Sequence, residues 1–304
     1  MPARKSLDPK LDIVFKLLFG EERNKALLIS LLNAVLAPKK PIESVTVLHP
    51  EPGREGAEDK AIVLDLRVRL VDGEQVDIEM QSWARPAQRQ RALYYWARLY
   101  SGQLGRGEGY DELRRCVVVM ITDFAELEGE RFHSLFRVCE VHEHQELNDH
   151  LELHWVELPK RGAAVLRNEE RELVRWARFL SAESDEELQE LAMKDPVLQR
   201  AKDALDRLSA DPEARLRAEQ REMALISYQL EMTESRKQGI AEGKALGRAE
   251  GEALGRARAV LAVLDTRQVP VSDEQRRSIE ACADLATLDR WLVRALTVSD
   301  ASEL

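Results

Sequence analysis

Cysteines are scarce in this chain and long apolar runs are absent. The 304 residues include three cysteines, Cys116, Cys139 and Cys282, which are odd in number and far apart. They therefore predict neither a disulfide framework nor a zinc site. No apolar run approaches the roughly 20 residues that a membrane-spanning helix needs. The apolar residues 27–37 follow an acidic stretch that is atypical of a signal peptide. We therefore expect a cytoplasmic protein with no membrane segment.

An excess of basic residues is also absent, since the formal net charge is -10. This balance argues mildly against tight nonspecific binding to nucleic acid, which needs clustered Lys and Arg. The acidic excess lies mainly in the C-terminal half, whereas residues 85–115 contain seven arginines and three acidic residues. A local basic face in residues 85–115 is therefore compatible with the net negative charge of the chain.

The order of apolar patterns in residues 1–165 predicts an α/β core with a mixed sheet. A helix is expected over residues 10–37, divided near Gly20, and another over residues 86–104. The predicted strands are residues 45–48, 62–70, 74–81, 116–121, 134–142 and 151–158.

The C-terminal half is predicted to be helical and highly charged. We divide the chain into a core domain (1–165), a charged helical region (166–238), a repeat helix or linker (239–258) and a small helical segment (259–304). In the third segment a glycine recurs every four residues, each followed two residues later by alanine. The stripe of small residues would permit close approach of another helix, so either a homo-oligomer or a protein partner would order residues 239–258. A frayed linker is the alternative.

Two alternating runs around Asp72-Gly73 predict a β-hairpin. Apolar residues occupy even positions on both strands and polar residues occupy odd ones. Cross-strand partners share a face, so even positions must pair with even positions. A three-residue loop, Val71-Asp72-Gly73, satisfies this register and gives Gly73 the left-handed conformation.

The same register places Asp65 opposite Glu79, with Gln81 two residues further along that face. Facing carboxylates repel each other. A divalent cation between them would remove the repulsion and gain the hard oxygen ligands that magnesium prefers. The alternative is a solvated hairpin face whose carboxylates are offset by Arg67 and Arg69, and the pattern alone does not decide between them.

Several motifs occur together and in order over residues 7–160. They are Asp12-Ile-Val-Phe-Lys16-Leu-Leu-Phe-Gly20, Leu28-Ile-Ser-Leu-Leu-Asn33-Ala-Val-Leu36, Leu64-Asp65, Ile78-Glu79-Met80-Gln81, Arg91-Ala-Leu-Tyr-Tyr95-Trp-Ala-Arg98-Leu-Tyr100 and Glu157-Leu-Pro-Lys160. As a set they resemble the Rpn family of recombination-promoting nucleases and transposases, within the PD-(D/E)XK nuclease superfamily.

The resemblance implies an α/β PD-(D/E)XK-type core, a mixed central sheet flanked by helices, with a helical C-terminal extension. It also implies magnesium-dependent endonuclease cleavage of DNA in recombination or mobile-element biology, with manganese as a substitute ion. Asp65 and Glu79 match the acidic motif residues and are the expected metal ligands. Gln81 stands where the superfamily pattern has Lys, so Lys16 or Lys60 would have to supply the positive charge.

Other residues have both a functional and a structural interpretation. Arg91, Tyr95 and Arg98 share a predicted helix face, where they would contact DNA phosphates or merely cover the sheet edge. Lys16 follows Asp12 by one turn and would complete the catalytic site or form a helical ion pair. The histidines of the second hairpin favour a solvated face over a zinc site; they are His142, His144, His150 and His154.

Two functions remain open from the sequence. The first is a metal-dependent DNA endonuclease, favoured by Asp65 and Glu79. The second is a nuclease-fold protein with little or no catalytic activity that binds partners through its helical C-terminal half. The absence of Lys at position 81 and the net negative charge of the chain keep the second function open.

Overall fold

The computed structural model describes residues 6–48, 66–164 and 171–304. Within these residues one six-stranded sheet has the strand order β1-β2-β3-β4-β6-β5. The strands are β1 Val45–Leu48, β2 Leu66–Leu70, β3 Gln75–Gln81, β4 Cys116–Thr122, β5 His133–Phe136 and β6 Leu151–Glu157. The sheet is mixed, because β3, β4 and β6 run parallel while the β1–β2, β2–β3 and β5–β6 pairs are antiparallel.

Helices account for most of the remaining described chain. They are α1 Asp12–Gly20, α2 Lys25–Leu36, α3 Gln88–Ser101, α4 Arg161–Ala164, α5 Arg171–Leu180, α6 Asp185–Lys194, α7 Pro196–Ala210, α8 Pro212–Thr266, α9 Asp273–Glu280 and α10 Leu285–Arg294. The predicted α/β fold with a helical C-terminal region is thereby confirmed. The predicted break near Gly20 is also present, between α1 and α2.

The strand predicted over residues 134–142 is shorter than expected. β5 ends at Phe136, and the chain then forms a small turn closed by a bridge between Cys139 and Glu146. Residues 137–149 are exposed, so no core contact holds this stretch against the sheet. The alternation of apolar and polar residues in the sequence therefore extends past the end of β5.

The hairpin between β2 and β3 has the predicted register. Leu66 pairs with Ile78 and Val68 with Val76. The Leu70 amide donates to the Glu74 carbonyl at 2.8 Å, which closes a three-residue loop. Within that loop Gly73 has φ +89°, a left-handed conformation that glycine adopts without a steric penalty. The prediction that even-numbered residues of the two strands pair with each other is therefore confirmed.

Both faces of β3 are buried, which the alternating pattern did not predict. Its apolar residues and its polar residues, Gln75, Asp77, Glu79 and Gln81, are all less than 9% exposed. The polar set lies on the sheet face that carries Val118 and Met120 of β4, and α3 packs on those residues. The interpretation of a solvated hairpin face is therefore wrong for β3, whereas on β2 Arg67 is half-buried and Arg69 is exposed.

Aromatic residues of α1 and α5 pack together in the core. The Phe15 and Phe19 rings of α1 have centroids 4.7 Å apart, and Phe19 meets Trp176 of α5 edge-on at 5.5 Å. Trp176 is fully buried and its indole nitrogen donates to Ser30 Oγ of α2 at 3.3 Å. The charged sequence after residue 168 thus contributes a buried helix to the core.

The chain divides into two compact units, Met1–Ala224 and Leu225–Leu304. In the second unit the last turns of α8 form a core with α9 and α10, through Val260, Leu264, Ile279 and Leu288. α8 itself continues from Pro212 to Thr266, through the residues proposed as a repeat segment. The four-segment division proposed from the sequence remains a prediction about domain organisation.

The middle of α8 is exposed on every side. All residues from 226 to 252 are exposed, a stretch that includes four of the repeat glycines. None of the five repeat glycines of residues 239–258 has another group within 4 Å of its Cβ position. Among the described residues, no helix is long and apolar enough to cross a bilayer.

Candidate functional site

Glu79 and Gln81 lie at the C-terminal end of β3, on the face covered by α3. Glu79 is 1% exposed and Gln81 is 6% exposed. Their neighbours on β4 are Met120 and Thr122. The Gln81 amide nitrogen donates to Glu79 Oε2 at 3.3 Å. Their two-residue spacing on one strand thus places these two predicted site residues side by side on the same face.

Asp65, the predicted partner of Glu79, lies outside the described residues. The described register ends one residue short of it, at the Leu66–Ile78 pair. Its position opposite Glu79, and its role as a metal ligand, therefore remain predictions. Lys60 also lies outside the described residues.

The ends of β3 and β4 are tied to the N-terminal segment. The Asp123 amide donates to the Gln81 carbonyl at 2.9 Å. The Asp123 carboxylate accepts a hydrogen bond from Lys10 Nζ at 2.7 Å. These contacts hold the chain that precedes α1 beside the end of the strand that carries Glu79 and Gln81.

Glu157 of β6 is a buried carboxylate whose role the sequence does not indicate. Glu157 is fully buried on the same sheet face as Thr122. Its Oε1 accepts the backbone amides of Glu126 and Leu127 at 2.6 and 3.0 Å, and its Oε2 contacts Lys160 Nζ at 2.7 Å. The conspicuous Glu157–Lys160 motif therefore anchors the loop after β4, since each buried carboxylate oxygen has a donor.

Asp12 is held by a residue that the sequence did not single out. Arg221 of α8 donates to both Asp12 carboxylate oxygens, with Nε at 2.9 and 2.8 Å from Oδ1 and Oδ2. Lys16, one turn further along α1, is half-buried. Because 209 positions separate Asp12 from Arg221, no local pattern in the sequence signals this pair. The proposed catalytic role of Lys16 remains a prediction.

Arg91, Tyr95 and Arg98 of α3 differ in their surroundings. Tyr95 is 6% exposed and belongs to the core cluster of α3 with β4 and β6. Arg91 is half-buried and donates to the Tyr95 hydroxyl through Nε at 3.1 Å and Nη2 at 2.5 Å. Arg98 is exposed. Tyr95 thus orients Arg91, and the three residues do not form one equally exposed face.

The histidines of the second hairpin do not share one solvated face. His142 and His144 are exposed in the turn, and His150 Nδ1 lies 2.8 Å from the Tyr100 hydroxyl. His154, by contrast, is 2% exposed on β6. The prediction of a solvated face is therefore wrong for His154, because residues 152–157 form a buried strand in which even the polar positions are covered.

His154 belongs to a chain of buried polar groups. Its Nδ1 lies 2.9 Å from His133 Nε2 of β5, and its Nε2 lies 3.2 Å from Glu152 Oε2. Glu152 also contacts Arg115 and Arg137. Each nitrogen of His154 faces a different protein group, so the arrangement is a hydrogen-bonded chain rather than a metal site. His133 was not identified from the sequence because β5 brings it beside His154 from 21 positions away.

The donor chemistry beside β3 fits a hard divalent cation. Glu79 offers a carboxylate and Gln81 an amide oxygen, and magnesium takes oxygen ligands together with several waters. A divalent charge would also stabilise a carboxylate buried as deeply as Glu79. Among the described residues, no three His, Cys, Asp or Glu side chains group as a metal-binding set. The predicted ligand pair therefore depends on Asp65.

Comparison with models of known protein families identifies a family for this chain. The model of a family described as PD-(D/E)XK nuclease family transposase matches residues 9–234. That range covers α1 to α7, the whole sheet and the first part of α8. No curated protein matches the chain, and no solved structure matches it either.

Proposed function

The chain belongs to the PD-(D/E)XK nuclease family of transposases, and we propose that it is an endonuclease that hydrolyses DNA phosphodiester bonds with a bound divalent metal ion. Magnesium is the expected ion and manganese a substitute. The proposed ligands are Asp65 and Glu79. The proposed setting is DNA recombination or the movement of mobile elements.

The observation that carries this proposal is the position of Glu79. A carboxylate that is 1% exposed on a sheet strand is costly to keep ionised unless hydrogen-bond donors or a cation stabilise it. Glu79 also lies where the motif resemblance implies an acidic ligand.

In the proposed mechanism, the metal ion would polarise the scissile phosphate and lower the pKa of an attacking water. Glu79 would hold the metal together with Asp65, and the burial of β3 would keep bulk water away from it. Gln81 orients Glu79 through its amide, but it carries no charge of its own. Lys16 is proposed to supply the positive charge that Lys provides in the superfamily pattern.

The proposed DNA contacts come from α3. Arg91 is fixed by the Tyr95 hydroxyl, so its guanidinium group would meet a phosphate with little loss of side-chain entropy. Arg98 is exposed at the next turns of the helix and would add an electrostatic contact. Tyr95 itself acts by positioning Arg91, since its ring is buried.

The test is plasmid cleavage by the purified full-length chain. Supercoiled DNA is incubated with protein and magnesium, and the wild type is compared with Asp65→Ala, Glu79→Gln and the matched control Glu128→Gln. Glu128 is an exposed carboxylate in the loop after β4. We expect cleavage by the wild type and by Glu128→Gln, and loss of cleavage in the two site variants. Equal cleavage by wild type and Glu79→Gln would refute the proposed site.

A second function, partner binding through the C-terminal half, is favoured by one observation. Residues 226–252 of α8 are exposed on all sides, although each glycine in a helix interior costs roughly 1 kcal/mol relative to alanine. Such a helix would gain stability from a second copy of the chain or from another protein. A folded wild-type chain that cleaves no DNA with magnesium or manganese would favour this function alone.

A further inference from the structure

Arg85, which follows β3 by four residues, forms a group of basic side chains with Arg91 and Arg221. Arg85 is half-buried, and its guanidinium carbon lies 4.5 Å from the centre of the Trp83 ring. Burial lowers the pKa of Arg85, and the neighbouring guanidinium groups of Arg91 and Arg221 lower it further. Two cations thus lie close enough to Arg85 to disfavour its charged form.

Two buried hydrogen-bond donors lie in the same group. Within the described part of the chain, Arg85 Nε has no hydrogen-bond partner, and neither has Gln88 Nε2. Gln88 is 1% exposed at the start of α3, and its Oε1 accepts a hydrogen bond from Arg91 Nη1 at 3.5 Å. Buried donors are normally paired, and an unpaired one points to a missing acceptor.

Arg221 joins this group from α8. Its ion pair with Asp12 fixes the guanidinium group, and Asp12 is also among the charges that act on Arg85. The Arg221 side chain remains 35% exposed. The Asp12 carboxylate offsets one positive charge, whereas Arg85, Arg91 and Arg221 bring three.

We propose that Arg85, Arg91 and Arg221, together with the Gln88 amide, bind one phosphate group of a DNA strand beside the Glu79 site. A phosphate would accept hydrogen bonds from Arg85 Nε and Gln88 Nε2, and its charge would offset the repulsion among the guanidinium groups. The planar guanidinium fork matches the geometry of phosphate oxygens. This inference rests on the proposed function for the identity of the phosphate, because a free phosphate ion offers the same chemistry.

Arg221 extends the proposed phosphate site beyond residue 165, into α8. The phosphate site needs a residue of α8, a helix that follows the whole sheet in the chain. A nuclease domain truncated at residue 165, as the sequence suggests, would therefore lack one of the three arginines. DNA binding would then depend on the first turns of α8.

The test measures DNA affinity against salt concentration in the absence of divalent metal. Fluorescence anisotropy of a labelled duplex compares the wild type with Arg85→Gln, Arg221→Gln and the control Arg106→Gln. Arg106 is an exposed arginine in the loop after the opposite end of α3. Because the three arginines would bind one phosphate, complete loss of that contact reduces the slope of log affinity against log salt by about 0.9 for duplex DNA. We expect weaker binding and a slope reduced by up to that amount in Arg85→Gln and Arg221→Gln, and no change in Arg106→Gln.

Asp12→Asn separates phosphate binding from a structural role of the ion pair. If Arg221 contacts phosphate, removal of the competing carboxylate tightens DNA binding, even if the melting temperature falls. If the pair only stabilises the fold, the melting temperature falls and the affinity does not rise. The second result would overturn the role of Arg221.

Inorganic phosphate distinguishes the two sources of the ligand. We expect it to raise the melting temperature of the wild type and, at high concentration, to compete with the duplex. If Arg85→Gln abolishes the thermal shift but leaves the salt slope for DNA unchanged, the site takes free phosphate and the assignment to DNA is wrong. Unchanged behaviour of Arg85→Gln in both assays refutes the site altogether. DNA binding with the expected slopes but no cleavage in magnesium would refute only the proposed function.

Discussion

Acid is expected to destabilise the edge of the sheet through His133. Burial, followed by the neighbouring His154 imidazole and Arg131 guanidinium groups, lowers the pKa of His133 from 6.5 to about 4. Glu152 accepts a hydrogen bond from His154 Nε2, so His154 Nδ1 is left to accept the proton of His133 Nε2. A neutral His133 therefore suits the folded state, and a protonated one does not.

The magnitude follows from the difference between the two pKa values. Between pH 6.5 and about 4 the unfolded chain binds a proton at His133 that the folded chain does not bind, so the free energy of unfolding falls as the pH falls. The difference of roughly 2.5 units corresponds to about 3 kcal/mol, at about 1.4 kcal/mol per unit. The loss is complete near pH 4.

Glu152 responds in a different range of pH. Burial tends to raise its pKa, but hydrogen bonds from His154 and Arg115 outweigh burial and bring it to about 2, below its usual 4.5. Its contribution is present above pH 4.5 and is lost as the pH falls toward 2. The loss between pH 6.5 and 4.5 is therefore assigned to His133.

Urea unfolding at a series of pH values in that range measures the effect. His133→Gln keeps a donor toward His154 but does not titrate, so between pH 6.5 and 4.5 its free energy of unfolding should fall by about 2 kcal/mol less than that of the wild type. His142→Gln, at an exposed position in the turn, should follow the wild type. Parallel pH profiles for wild type and His133→Gln would refute the reasoning.

Three further predictions concern other parts of the chain. Gln81→Lys should keep the fold and still cleave DNA, because Lys is the usual residue of the superfamily at this place; loss of all cleavage in a folded variant would show that Gln81 has a role that Lys cannot fill. Glu157→Ala should lower the free energy of unfolding by about 3 kcal/mol, because it leaves the Glu126 and Leu127 amides without their acceptor and removes the carboxylate that pairs with Lys160; urea unfolding with an unchanged midpoint would contradict this. Hydrogen exchange across residues 239–258 should slow as protein concentration rises if this segment self-associates, and fast exchange at every concentration in a monomeric chain would rule self-association out.

The sheet was predictable because its signals are local. A strand has a period of two residues, so alternation on both sides of Gly73 determined which residues pair and required an odd loop. The continuous apolar run at residues 116–121 similarly indicated a strand buried on both faces, and β4 is one. The burial of Glu79 and Gln81 was not predictable in this way, because it depends on α3 covering the polar face.

The charged contacts near the site were not predictable because they join distant parts of the chain. Arg221 lies in a helix of ordinary charged composition, and only the fold brings it to Asp12. His133 and His154 likewise meet through the pairing of β5 with β6. The continuity of α8 was not predictable for another reason: five glycines argue locally against a helix, and the helix begins at Pro212, well before the repeat.

Calorimetric titration of the full-length chain with magnesium tests the central claim, a divalent metal site built on Glu79, most directly. We expect binding by the wild type, a matching rise in melting temperature by mass action, and a clear loss of affinity in Glu79→Gln but not in Glu128→Gln. Absence of divalent binding to the wild type, with manganese as well as magnesium and even with DNA present, would contradict the account.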